Sequence, residues 1–162
     1  VPAHLHDALG DTHIRENVST NLASDKFQSL DYVTPATLLR STAIGELAER
    51  YDLVVYCDVD MYLLRGAFAD LLPFLDSDKP IGAVRDAVNW HVVRNHKRAD
   101  SNFFTHEQNS HYFNAGFLAV NGPVYRDLKL SEKAFAFLEV QCYSATLADQ
   151  TALNVVAIDN FA

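Results

Sequence analysis

Positive charge is scarce in this 162-residue chain: thirteen Lys and Arg stand against twenty-one Asp and Glu, a formal net charge of −8. No basic patch stands out along the sequence, which argues against nucleic acid as a partner. Cysteine is also sparse. Cys57 and Cys142 lack metal-ligand spacing, which excludes a cysteine-based zinc site and favours a reduced, cytosol-like setting. No membrane-spanning run and no signal peptide are visible. Internal repeats and low-complexity segments are missing as well. What the chain does have is apolar residues: 49% are hydrophobic and 11% aromatic, which excludes disorder. The length suits one domain with a real core.

Periodicity gives the elements. A helix is expected over residues 2–9. Asn17-Val18-Ser19 matches a glycosylation acceptor triplet, a weak signal without a secretory leader. Thr34-Pro35 reads as a helix start, a capping hydroxyl followed by proline at the first helical position. Leu39, Ala43 and Leu47 then form the expected core stripe. The apolar run Leu53-Val54-Val55-Tyr56-Cys57 predicts a buried central strand. A short helix over residues 67–72 closes at Pro73, and Ile81–Arg85 is a second strand ending at Asp86. Residues 87–111 read as a long functional loop holding His91, His96, His106 and His111. Residues 113–121 are a third strand carrying Gly116, broken by Gly122-Pro123. Helices follow over residues 130–142 and 149–157. Strands alternating with helices predict an α/β fold.

Chemistry concentrates at Asp58-Val59-Asp60. Two carboxylates at the carboxyl end of a strand sit where open α/β sheets bind ligands. Hard divalent cations bind through one or two carboxylates plus substrate phosphates. An acidic chain would repel a diphosphate unless a cation intervened, which fits a divalent cation such as Mg²⁺ at Asp58 and Asp60. Surface carboxylates that simply close a strand are the plain alternative. A phosphohydrolase with Asp58 as nucleophile is another, weakened by Met61-Tyr62-Leu63 after the pair. Tyr112-Phe113-Asn114-Ala115-Gly116 puts an amide and a glycine inside an apolar strand. Glycine admits close approach of a ligand, and Asn114 can both donate and accept. Asp149-Gln150 opens the last helix.

Taken in order, four segments resemble glycosyltransferase family 8, the group containing glycogenin and the bacterial surface-glycan galactosyl- and glucosyltransferases. They are Thr34-Pro35-Ala36-Thr37-Leu38-Leu39-Arg40, residues 51–64 around Asp58-Val59-Asp60, Tyr112 through Asn121, and Asp149-Gln150-Thr151-Ala152-Leu153-Asn154. The resemblance covers roughly residues 30–160. It implies a GT-A fold, with a mixed sheet flanked by helices in a single, partial catalytic domain over residues 1–162. It implies a metal-dependent enzyme that transfers a hexose, with retention, from a UDP-linked donor to a glycan or other hydroxyl acceptor.

Residue by residue, the resemblance makes Asp58 and Asp60 ligands of Mn²⁺ or Mg²⁺. Arg40, Asp58, Val59, Asp86, Asn114, Ala115 and Gly116 become donor-binding residues. Asp149 would hold a sugar hydroxyl, and Gln150 would lie near the anomeric carbon. The chain departs from the family pattern in three places. Leu38-Leu39 replaces the aromatic that usually precedes the basic residue. No first strand is recognisable ahead of residue 30. The family's third metal ligand, a His beyond the Asp-Gln helix, has no counterpart before Ala162. The chain therefore reads as a central piece, expected to bind metal and donor weakly by itself. A non-catalytic nucleotide-sugar-binding domain is the alternative function. A cytoplasmic location is expected, with peripheral attachment at the inner membrane face through segments outside this chain.

Overall fold

The computed structural model describes residues 35–62, 69–87, 103–141 and 148–159. The expected helix over residues 2–9, the triplet at Asn17, Cys142, and the loop histidines His91 and His96 lie outside these residues.

Helix α1 (Pro35–Ala48) begins at the proline that marks a helix start. Its buried face is not the expected one. Ser41, Ile44 and Ala48 are buried, whereas Ala43 and Leu39 are exposed and Leu47 is half-buried. The face is set by the small residue Gly45, where an added Cβ would sit 2.6 Å from Ser131 Oγ. Close approach of a neighbouring helix has selected the small-residue side over the leucine side.

Three strands follow the sequence reading closely: β1 (Leu53–Cys57), β2 (Ile81–Arg85) and β3 (Phe113–Asn121). Their order is β1-β3-β2, with antiparallel pairing at both seams. A mixed sheet was expected; among the described residues the pairing is antiparallel only. The expected central place of β1 is likewise corrected. Among the described strands β3 is central and β1 lies at one side, with Val54 its sole fully buried residue.

Side-chain period then assigns the faces. Val54, Val120 and Ile81 form one cross-strand row, and Tyr56, Leu118 and Ala83 the next. Both rows join the core with Ile44, Leu130, Leu138 and Leu153 from the helices. Burying an aliphatic side chain of this size contributes about 1.5–3 kcal/mol. On the other face Gly82 lies under Phe74, whose ring a Cβ at that position would touch at 3.4 Å. Phe74 belongs to a 3-10 helix (Ala69–Asp76) that carries Pro73 inside it, where the proline was expected to close a helix.

Helix α2 (His106–Ser110) lies in what reads as loop from sequence. Its signature is a capping box: Gln108 N donates to Thr105 Oγ1 at 3.2 Å, and Thr105 N donates to Gln108 Oε1 at 3.0 Å. Helix α3 (Gly122–Asp127) leaves β3 directly, with Pro123 in its first turn. Helices α4 (Leu130–Gln141) and α5 (Ala148–Ala157) pack on each other and complete the helical layer with α1. No described helix is long and apolar enough to cross a membrane.

Candidate active site

The pairing of β2 with β3 is broken at one place. Ala83 faces Leu118 but Val84 faces Asn114, so one step along β2 corresponds to four along β3. The three extra residues, Ala115, Gly116 and Phe117, make a bulge, a device that re-aims side chains. This is why an Asn-Ala-Gly turn signal stands inside an apolar strand. Asn114 Oδ1 closes the bulge by accepting from Gly116 N at 2.7 Å.

Gly116 leaves room for two polar side chains here, which any larger residue would push aside. An added Cβ would lie 2.8 Å from both Asn114 Oδ1 and Asp58 Oδ2, closer than real Cβ contacts. The bulge also ties to β1, since Asp58 N donates to Gly116 O at 2.7 Å. Beyond Asp58 the chain turns at once, with Met61 N donating to Asp58 O at 3.1 Å. Val59 and Asp60 stand exposed on that turn.

A strand period of two puts Tyr56 and Asp58 on the helix-facing side. There Asp58 Oδ1 accepts two hydrogen bonds, from Tyr56 Oη at 2.6 Å and from Arg40 Nη2 at 3.1 Å. The Arg40 guanidinium also lies 4.8 Å from the Tyr56 ring centroid, a cation–π distance. Its Nη1 reaches Asp149 Oδ2 at 3.3 Å, an ion pair without hydrogen-bond alignment. Asp149 Oδ2 has no hydrogen-bond partner among the described residues, although Asp149 is 3% exposed.

These charges perturb one another. Burial works against the Arg40 charge, but Asp149, Tyr56 and Asp58 outweigh it and hold the guanidinium above its ordinary value. Burial pushes the Asp149 carboxyl up, and Arg40 with the Asp149 and Gln150 backbone amides only partly restores it. Burial and the bond to Asp58 raise the Tyr56 hydroxyl. Helix α5 starts from a strained position just before Asp149, because Ala148 holds a left-handed φ of 37°; that conformation costs a non-glycine residue about 1–2 kcal/mol.

On the far side of the bulge side-chain amides bond to the backbone and to Asp86. Gln150 Oε1 accepts from Ala115 N at 3.0 Å, and its Nε2 donates to Asp86 Oδ2 at 3.1 Å. Asn114 Nδ2 approaches the same Asp86 oxygen at 3.5 Å. One helical turn later, Asn154 clips β3: Phe113 N donates to Asn154 Oδ1 at 2.8 Å, and Asn154 Nδ2 donates to Phe113 O at 2.9 Å.

Of the residues singled out from sequence, Arg40, Asp58, Gly116, Asn114, Asp149, Gln150 and Asp86 thus form one chain of contacts through the bulge. Ala115 joins it through its backbone. Asp60 and Val59 stand beside it on the turn. His111 lies elsewhere, 3.4 Å from Arg85 Nη2, lining a separate 690 Å³ cavity with Thr105 and Asp159. Sequence reading assigned no role to Tyr56 or Asn154. The signals were the i−2 spacing of Tyr56 from Asp58 on a strand and the i+4 spacing of Asn154 from Gln150 on a helix.

The donor set suits a hard cation. Asp58 keeps Oδ2 clear of Arg40 and Tyr56, and Asp60 is exposed two residues on. Two carboxylates match the mode in which substrate phosphates complete the shell. No group of three His, Cys, Asp or Glu able to hold a metal occurs among the described residues.

The fold is that of the GT-A glycosyltransferases. It matches the apo structure of the bifunctional glycosyltransferase WbbM with a TM-score of 0.64 at 19% identity, over 80% of this chain and 24% of that one. It matches the galactosyltransferase LgtC, solved with donor and acceptor sugar analogues, with a TM-score of 0.58 at 22% identity, over 82% of this chain and 45% of that one. The chain belongs to glycosyl transferase family 8, whose profile matches residues 7–162. The match starts well ahead of residue 30, so family membership extends further toward the amino end than the four motifs do. A curated relative, the lipopolysaccharide 1,3-galactosyltransferase of Salmonella typhimurium (strain LT2), is 28% identical over 132 residues, 78% of this chain and 37% of the relative. The chain therefore spans less than half the length of each of these proteins.

Proposed function

We propose that this chain carries the donor-binding centre of a retaining glycosyltransferase, which moves a hexose from a UDP-linked donor to a hydroxyl of a glycan acceptor. The observation that carries the reading is the unbroken line of contacts from Asp58 through Arg40 to Asp149 beside the Asn-Ala-Gly bulge. Charged groups that would face a diphosphate and amide groups that would face a sugar are brought together there from α1, β1, β3 and α5.

In this reading Asp58 Oδ2 and Asp60 would hold Mn²⁺ or Mg²⁺. Such a cation offsets the negative charge that builds on a departing diphosphate. Arg40, held between two carboxylates, would meet a phosphate oxygen. Asp149 Oδ2, buried and without a hydrogen-bond donor among the described residues, would accept from a sugar hydroxyl. Asp86 and Asn114 would take further hydroxyls. Gln150 has one carbonyl lone pair left after bonding Ala115 N, an electron-rich oxygen suited to a developing positive charge at the anomeric carbon. The Ala115 bond fixes that oxygen in place.

The test is UDP-hexose hydrolysis in Mn²⁺. Slow turnover that disappears in Asp60→Ala is the expected result. Binding without turnover would indicate a nucleotide-sugar-binding module instead. Mg²⁺-dependent release of phosphate from a generic phosphomonoester, lost in Asp58→Asn, would indicate a phosphohydrolase.

A further inference from the structure

Tyr56 precedes the carboxylate pair and is an ordinary strand residue by sequence. Its ring sits in the cross-strand row with Leu118 and Ala83, packed against the core. Packing would be served equally by phenylalanine. The hydroxyl acts separately from the ring. It donates to Asp58 Oδ1 at 2.6 Å, in the range of short charge-assisted hydrogen bonds. Arg40 Nη2 donates to the same oxygen, and the same guanidinium lies over the Tyr56 ring. Tyr56 therefore holds Asp58 directly and also steadies the cation that holds it.

The consequence lies in the other carboxylate oxygen. With two donors on Oδ1, Asp58 Oδ2 is turned to the space above Gly116, 2.8 Å from the Cβ that this glycine lacks. We infer that Tyr56 is a positioning residue, whose hydroxyl fixes the Asp58 carboxylate so that Oδ2 alone is offered to a divalent cation. The inference rests on the metal-dependent reading above and deepens it, naming what orients the metal-binding carboxylate. Groups that hydrogen-bond a ligating carboxylate typically change metal affinity or activity by about 10–100-fold when removed.

The experiment compares the full chain with its Tyr56→Phe and Asp58→Asn variants. Mn²⁺ is titrated in the presence of UDP by calorimetry and by Mn²⁺ electron paramagnetic resonance, with thermal unfolding measured in parallel. Tyr56→Phe keeps the ring and should bind Mn²⁺ about tenfold more weakly, with an unchanged unfolding temperature. Its turnover should recover at saturating Mn²⁺, a loss in metal KM without a loss in kcat. Asp58→Asn should lose Mn²⁺ binding altogether. A Tyr56→Phe variant with wild-type Mn²⁺ affinity overturns the positioning role and leaves the metal reading standing. Weakened Mn²⁺ binding that tracks a lower unfolding temperature also overturns it, because packing alone then explains the loss. A wild-type chain that binds neither Mn²⁺ nor UDP overturns the metal reading itself, and the positioning role with it.

Discussion

At the β1 end of the site the Asp58 side chain is 35% exposed, and the contacts among Arg40, Asp58 and Asp149 are ionic. At the seam between α5 and β3, Gln150 and Asn154 are buried, and their contacts run between amides, the backbone and Asp86. Both ends meet at one bulge, yet they suit different roles. Although Arg40 and Asp149 are mostly buried, the pair that Arg40 makes with the half-exposed Asp58 contributes little to stability and can exchange partners at low cost. Buried amides bonded to backbone cannot, because each orphaned group costs about 1–3 kcal/mol. The ionic end is thus built to take up a charged ligand, and the amide end to keep the bulge in shape while it does so.

Substitutions on the two sides should separate accordingly. Asp60→Ala, on the exposed turn, should carry the largest effect. Removing a ligand of a charge-neutralising cation is expected to lower kcat/KM for glycosyl transfer by about 10²–10³-fold, roughly 3–4 kcal/mol of transition-state stabilisation. Unfolding should move by no more than about 0.5 kcal/mol, as for exposed positions generally. A collapse of thermal stability in this variant would show that the ionic end is structural after all.

Asn154→Ala should show the opposite pattern. It removes the two hydrogen bonds that Asn154 makes to the buried backbone of Phe113, so chemical denaturation should reveal a loss of about 1–3 kcal/mol. Mn²⁺ affinity, measured well below the new midpoint, should change far less. A large fall in Mn²⁺ affinity with stability intact would erase the distinction between the two ends.

The same contrast explains what the sequence showed in advance. β1, β2 and β3 were legible because each is a short apolar run with polar limits. The carboxylate pair was legible because it ends such a run. The buried face of α1 was not, since Leu39 and Leu47 outweigh Gly45 in any hydrophobic pattern, while close helix approach favours Gly45. The partial burial of β1 was hidden too: an apolar run does not reveal how deeply a strand will be covered. Helix α2 was passed over because histidines and asparagines read as loop, although the Thr105–Gln108 spacing marked its start. The bulge was visible only as an anomaly, a turn signal inside a strand. Its meaning needed the β2 register, which depends on residues some thirty positions away.

The smallest effect should come from Asp149, where the two ends touch. Burial raises its carboxyl above the ordinary carboxylate range, and Arg40 offsets this only in part. A group with a raised folded-state pKa binds its proton more tightly folded than unfolded, so its contribution to stability is fully present below the unfolded value, near 3.9. That contribution is lost as pH rises through the raised value. Asp149→Asn replaces the carboxyl with a neutral amide of the same shape and removes this dependence. Denaturation midpoints of the two proteins should therefore lie closest at low pH. As pH rises toward neutrality, the wild type should lose ground to the variant, while the other carboxylates titrate alike in both. Donor affinity should fall in the variant over the same range, because a hydroxyl acceptor has been replaced. A wild type that gains on Asp149→Asn with rising pH would mean that the pairing with Arg40 outweighs burial. The ionic end would then be a stabilising element, with its strongest bond placed at the carboxylate that has no hydrogen-bond partner on Oδ2 among the described residues.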